Sequence, residues 1–143
     1  METLENIKNS EKNIFEKIRD EEAPCELVYK DKYVTAFNDI QPDAPVHILI
    51  IPNKKINSMN NITEDDCDYL SIMLLIAKKI AKDLGIDETG YRLITNCGKD
   101  GGQEIDYLHF HLVGGVPLGK MISLPKPSKK ILREIMDNRE TKL

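Results

Sequence analysis

The sequence predicts an α+β fold: a mainly antiparallel five-stranded sheet carrying one short helix, one long helix and a helical C-terminal tail. Three observations lead there. Five apolar runs have strand length, one long amphipathic segment is bounded by caps, and the segments follow the order helix, three strands, helix, two strands. With 143 residues, 41% hydrophobic and 31% charged, the chain has globular composition and enough length to bury a core without staples. One domain over 1–143 is expected, with a core about 10–119 and an extension about 120–143.

A net charge of -4 argues against a nucleic-acid partner, which needs a basic surface to displace counterions. Any phosphate must therefore bind in a local pocket. Cys25, Cys67 and Cys97 are odd in number, far apart and form no CxxC, so they read as reduced thiols. The N-terminal stretch lacks an apolar signal region, and the longest apolar run, 72–77, cannot span a bilayer. A soluble, cytoplasmic protein with no membrane partner is expected.

Ser10 is placed to cap a first helix with the apolar stripe Ile14, Phe15 and Ile18, ended by Pro24. Strand runs follow at 25–30 and 33–37, joined by a tight turn at Asp31-Lys32. The segment 39–45 is turn-rich because Pro42 and Pro45 fix φ and withhold donors. It leads into the apolar strand 47–51, which reads as central.

The long helix runs from Thr63 to about Leu84, with Asp66 completing a capping box and Gly85 at the position just past its end. Leu70, Leu74, Ala77, Ala81 and Leu84 form the stripe expected to dock on the sheet, with Ile72, Leu75 and Ile76 partly outside it. An apolar surface on more than one side of a helix in so small a domain implies a partner, and a homodimer is expected. Strands at 91–96 and 107–113 and a short helix at 129–138 complete the chain.

In the last strand the alternation puts Tyr107, His109, His111 and Val113 on one face and Leu108, Phe110 and Leu112 on the other. Two imidazoles thus share a face, about 7 Å apart from two strand rises of ~3.3 Å each. A neutral imidazole anchored this way can attack phosphorus while a neighbour steers the oxygens. A bare HxH is better read as a pair that satisfies core hydrogen bonds or sits at a surface, with a metal pair as the third option. What distinguishes this one is the preceding loop, where Gly98, Gly101 and Gly102 can turn backbone N–H groups toward a phosphate.

The run Gly101-Gly102-Gln103, a strand with HxH, and then Gly114-Gly115 resembles the purine-nucleoside phosphoramidase branch of the histidine-triad (HIT) family. The similarity extends through Ile14-Phe15, Pro24, 36–40, Pro42, Ala44-Pro45, His47, Ile51-Pro52, 83–85, 90–92 and 96–115, about four fifths of the chain. It implies a HIT-like fold, dimeric through the long helices and late strands. It also implies that His109 forms a nucleotidyl-histidine intermediate and that His111 binds the phosphate. Asn96, Gly102 and Gln103 would surround phosphate and leaving group, Asn38 and Asp39 would meet the nucleotide, and Asp39 would accept from both ribose hydroxyls. Ile14, Phe15, Ile18, Phe37, Ile40 and Leu49 would wall the purine. Without the motif, the apolar six would be read as ordinary core and Asp39 as a stabiliser of the turn before Pro42.

Three positions depart from the family pattern. Tyr107 stands where the first triad histidine belongs and carries no charge at neutral pH. Glu104 replaces a serine and would repel phosphate if it pointed inward. Asn13 and Glu16 stand where some relatives have zinc-binding cysteines, and Tyr107 removes a further ligand so that His47 stands alone, so no metal and no cofactor are expected. The implied activity is cleavage of a purine nucleoside 5′-phosphoramidate or related conjugate. Dinucleoside polyphosphate hydrolysis, or nucleotide binding with little turnover, are the alternatives.

Overall fold

The central strand of the sheet, β3 (Val46–Pro52), shows why its neighbours form: beyond Val46 every residue in it is buried, so both of its faces must be covered. The computed structural model describes residues 11–140. β1 (Leu27–Lys30) and β2 (Val34–Asn38) precede β3, and β4 (Tyr91–Ile94) and β5 (Phe110–Gly114) follow it. The sheet order is β1-β2-β3-β5-β4, and every neighbouring pair is antiparallel. The turn between β1 and β2 closes without glycine because the Asp31 carboxylate accepts from the N–H groups of Tyr33 and Val34, at 2.7 and 2.8 Å.

The two main helices lie on opposite faces of this sheet rather than together. Even-numbered side chains of β2 and β3 (Val34, Ala36, Ile48, Ile50) join Leu108, Phe110 and Leu112 against α2 (Cys67–Asp83). Odd-numbered ones (Phe37, Leu49, Ile51) join Tyr107 against Phe15 and Ile18 of α1 (Ile14–Arg19). The start of α1 differs from expectation. Asn13, not Ser10, is the N-cap: its side chain accepts from Glu16 N–H while the Glu16 carboxylate reaches back to Asn13 N–H. Ser10 lies outside the described residues.

α2 keeps its expected ends but presents a different face. Thr63 and Asp66 form the capping box ahead of a 3-10 turn, Glu64–Asp66, and the helix proper starts at Cys67. At the far end Gly85 (φ 74°) donates to Lys82 and Ile86 to Ala81, the paired bonds of a Schellman cap. The buried stripe is Met73, Ile76, Ala77, Ile80 and Ala81, whereas Leu74 and Leu84 stand about half exposed. The Asp66 carboxylate, tied to Lys54 beyond β3, fixes how the helix enters and so its rotation. Leu75, 62% exposed, lies well outside the core.

β5 is shorter than the run 107–113. Leu108 N–H donates to Ile56 O, and Tyr107 N–H to Ile105 O, so pairing with β3 begins only at Phe110 and with β4 at His111. The in-out alternation nevertheless holds from Tyr107 onward. The tail helix, α3 (Lys126–Glu140), is longer than 129–138, with Ile131, Leu132, Ile135 and Met136 exposed. No helix among the described residues is long and apolar enough to cross a membrane.

Candidate active site

His109 is held at the approach to β5, 6% exposed, with its peptide carbonyl accepting from the Thr95 hydroxyl. Its Nδ1 lies 2.6 Å from the Tyr107 carbonyl oxygen, which can only accept. Nδ1 therefore carries the ring proton and the Nε2 lone pair is left available. Burial holds the imidazole below its ordinary pKa, opposed by the Tyr107 bond and the charges of Asp39 and Glu104. Phe15 meets the ring edge-on at 5.0 Å. A neutral, oriented imidazole results.

Tyr107 contributes its backbone to this arrangement. Its hydroxyl donates to the Pro52 carbonyl, away from the histidines, and burial raises it to about 12, with Arg19 pulling the other way. A tyrosine at 107 therefore supplies the same carbonyl to His109 that a histidine would. The side chain packs behind the site instead of entering it.

His111 faces Leu49 on β3 and Ile94 on β4, and its ring lies 4.8 Å from that of His109. Burial, then the neighbouring His109 and His47, push it down to about 4. His47, considered from the sequence only as a lone metal ligand, completes the cluster: its Nε2 is 2.8 Å from His111 Nδ1 and 3.4 Å from Asp39 Oδ2. The signal that could have found it is strand parity, since His47 and Leu49 share a face of β3 and His47 pairs with Val113 of β5. Asp39 also accepts from Gln41 N–H, so the turn role and the site role coexist.

Acid should destabilise this cluster. An unfolded imidazole takes up its proton near 6.5, whereas folded His111 resists until about 4. Between those values the unfolded chain binds more protons, so stability is full above about 6.5 and falls as pH drops toward 4. Thermal melts across this range should show the slope, and His111→Gln should flatten it. An unchanged slope in that variant would place the acid sensitivity elsewhere.

The glycine loop is tied up mostly within itself. Gly98 N–H donates to Gln103 Oε1, Gly102 N–H to Lys99 O and Gln103 N–H to Gly98 O. Those three amides are thus engaged in loop closure, not turned toward a phosphate, which corrects the sequence expectation for Gly98 and Gly102. The Gln103 amide braces the loop by donating to Asn57 O and Ile105 O, at 2.7 and 3.0 Å, and Asn96 donates to Gly101 O. Only glycine fits at 101, because a Cβ there would overlap the Cys97 backbone. Glu104 is exposed, close enough for its charge to act on His109.

Of the apolar six, Phe15, Ile18, Phe37 and Leu49 pack together as core beside the histidines. Ile14 is 46% and Ile40 95% exposed, so these two stand apart from that cluster. Asn38 is exposed and bonds Glu26. A cavity of about 310 Å³ opens beside His111, lined in part by Asp43, His47, Arg92 and Asn96.

Asp39, His47 and His111 offer ligand atoms within 4.8 Å of one another, the one such group among the described residues. The protonation pattern opposes a cation there. Asp43 N–H donates to His47 Nδ1 at 3.0 Å, which requires the lone pair on Nδ1 and leaves the proton on Nε2, the atom a metal would need. Asn13 and Glu16 are occupied by the helix cap.

A histidine pair at the start of one strand and the approach to it, behind a glycine loop and on an antiparallel sheet of this order, defines a class. The chain belongs to the HIT family, whose domain model matches residues 20–118. Among its relatives, the purine nucleoside phosphoramidase of Escherichia coli K12 is 49% identical over 80% of this chain and 96% of its own length. An uncharacterized HIT-like protein of Buchnera aphidicola is 51% identical over 76% of this chain and 97% of its own. A HIT family hydrolase from Clostridium thermocellum superposes with a TM-score of 0.76 at 47% identity, covering 79% of this chain and 98% of that one. A histidine triad protein from Clostridium difficile gives 0.74 at 42% identity, covering 85% of this chain and 100% of that one.

Proposed function

We propose that the protein is a hydrolase that cleaves purine nucleoside 5′-phosphoramidates or related nucleotide conjugates, releasing the nucleoside 5′-monophosphate. The observation that carries this reading is His109: neutral through burial, fixed by the Tyr107 carbonyl, and offering Nε2 beside His111. In the first step Nε2 bonds to the α-phosphorus as the phosphorus–nitrogen bond breaks and the amine departs with a proton taken from the medium, which the second step returns. The imidazolium charge is shared with the Tyr107 carbonyl through Nδ1–H. Water then attacks phosphorus, loses a proton to the medium, and releases the monophosphate with His109 restored. No metal enters these steps.

His111 has its Nδ1 facing a donor, so its own proton is on Nε2 and is available to a phosphate oxygen. The cavity beside it has room for the departing group. Incubation with adenosine 5′-phosphoramidate and with lysyl and tryptamine conjugates should yield the monophosphate from at least one. Binding of nucleotide without release would favour a binding protein, and release only from dinucleoside polyphosphates would favour the other hydrolase reading.

Glu104 sets a preference within this reaction. An exposed carboxylate near the reacting phosphate favours a cationic leaving amine by about 1 kcal/mol, an attraction weakened by salt. Glu104→Ser is expected to raise activity on neutral-amine conjugates relative to cationic ones. Equal effects on both, independent of ionic strength, would make Glu104 a bystander.

The same reading includes a homodimer in the cytoplasm. Leu74 and Leu75 stand 52% and 62% exposed on α2, and β4 is an edge strand of the sheet. Sedimentation should give twice the chain mass, and Leu75→Glu should halve it. A single-chain mass for the unaltered protein would remove the dimer.

A further inference from the structure

α3 lies beyond the HIT domain, which ends at residue 118, and no residue of it joins either buried cluster. Its apolar side chains Ile131, Leu132, Ile135 and Met136 stand 55%, 44%, 46% and 53% exposed. Spacings of one, three and four put all four on one side of the helix. A helix of 15 residues is marginal in water by its own propensity and draws its stability from packing such a stripe. The body of the chain leaves the stripe open.

The charges identify what covers it. The first half of α3, 126–133, carries Lys126, Lys129, Lys130 and Arg133 and no acid, whereas the second half, 134–140, carries Glu134, Asp137 and Glu140 against Arg139. The apolar block is symmetric about the midpoint between residues 133 and 134, and the charge changes sign across that same midpoint. A second copy of the helix, turned antiparallel about a two-fold axis through that midpoint, satisfies both patterns. Stripe lies on stripe, and each basic half runs along an acidic half. A parallel copy would set like charges side by side, and an anionic lipid surface would attract the first half while repelling the second.

We propose that α3 is a self-recognition element that pairs antiparallel with α3 of a second copy of this chain. Each helix is about 22 Å long, and their contact falls below the roughly 1,200 Å² that a stable interface needs by itself. The pair therefore joins copies that are already at high local concentration, as in an assembly held by a further interface. It uses neither the exposed face of α2 nor the edge strand β4, and none of the residues around His109.

Ser128 precedes Ile131 and Leu132 by three and four residues, so it lies on the same side of the helix. A benzophenone photocrosslinker in its place in the full chain, irradiated in an equal mixture of nitrogen-14 and nitrogen-15 protein, marks contacts between copies as mixed-isotope peptides. The antiparallel pair gives a link from 128 to 136–139 of the other copy. Two sets of changes then test the charge rule. Lys129→Glu with Lys130→Glu and Arg133→Glu makes α3 predominantly acidic, and Glu134→Lys with Asp137→Lys and Glu140→Lys makes it predominantly basic. Each protein alone should lose the link at least about tenfold, and an equal mixture of the two should recover it, which also shows that both helices still form. A mixture that stays unlinked, or single variants that link as well as the parent, would overturn the pairing. Links from 128 to 128, as a parallel pair gives, or only to the body of the chain would overturn it too, as would no link between copies at up to about 1 mM protein. Co-sedimentation of the parent with phosphatidylglycerol vesicles, lost in Ile135→Glu, would assign the stripe to a lipid surface instead.

Discussion

Replacing His109 by alanine is expected to lower turnover of a nucleoside phosphoramidate by at least about a thousandfold while nucleotide affinity stays near that of the parent. In the proposed reaction the substitution removes the atom that bonds to phosphorus, a contact made only along the reaction path, so kcat should fall rather than KM rise. His111→Ala should cost less, since it removes a donor and not the nucleophile. Because His109 is 6% exposed and touches Phe15, a thermal melt must accompany the kinetics to separate lost chemistry from lost packing. Near-parental rates in a folded His109→Ala protein would show that another group attacks phosphorus.

Asp39→Ala should weaken a ribonucleotide by about 1–3 kcal/mol, the cost of leaving hydrogen-bonding groups without a partner, and weaken its 2′-deoxy counterpart much less. Calorimetry with both nucleotides measures the difference directly. The variant also removes the bond to Gln41 N–H, so some loss common to both ligands is expected from the loosened turn. If the two nucleotides weaken equally, Asp39 serves the turn alone.

The elements most legible in the sequence are those set by local chemistry. The capping box at Thr63 and Asp66, the left-handed Gly85 and the prolines around β3 each act within a few residues, and all appear where the chain alone implies them. Strand parity over 107–113 likewise sorted His109 and His111 from Leu108, Phe110 and Leu112, because alternation is a property of extended backbone whether or not a ladder forms. The rotation of α2 was not legible. Ile76 and Leu75 are equally apolar neighbours, and only the tie between Asp66 and Lys54 and the fit against the even-numbered face of β2 and β3 put one in the core and the other in solvent.

The candidate site divides along the same line. The residues 96–111 already hold the proposed nucleophile, its companion histidine and the glycine that a tight loop demands, so their order in the chain pointed to the type of chemistry proposed. The tertiary structure alone decided which nitrogen of each imidazole carries the proton. The donor to His47 comes from Asp43 and the acceptors facing that ring are Asp39 and His111, a set drawn from two strands and a turn, with His47 and His111 themselves 64 residues apart. It likewise decided that Tyr107 acts through its carbonyl and that three loop amides close on their own loop. Side-chain identity states what a group can donate or accept, but a proton's position depends on the partner opposite, and that partner is supplied by packing.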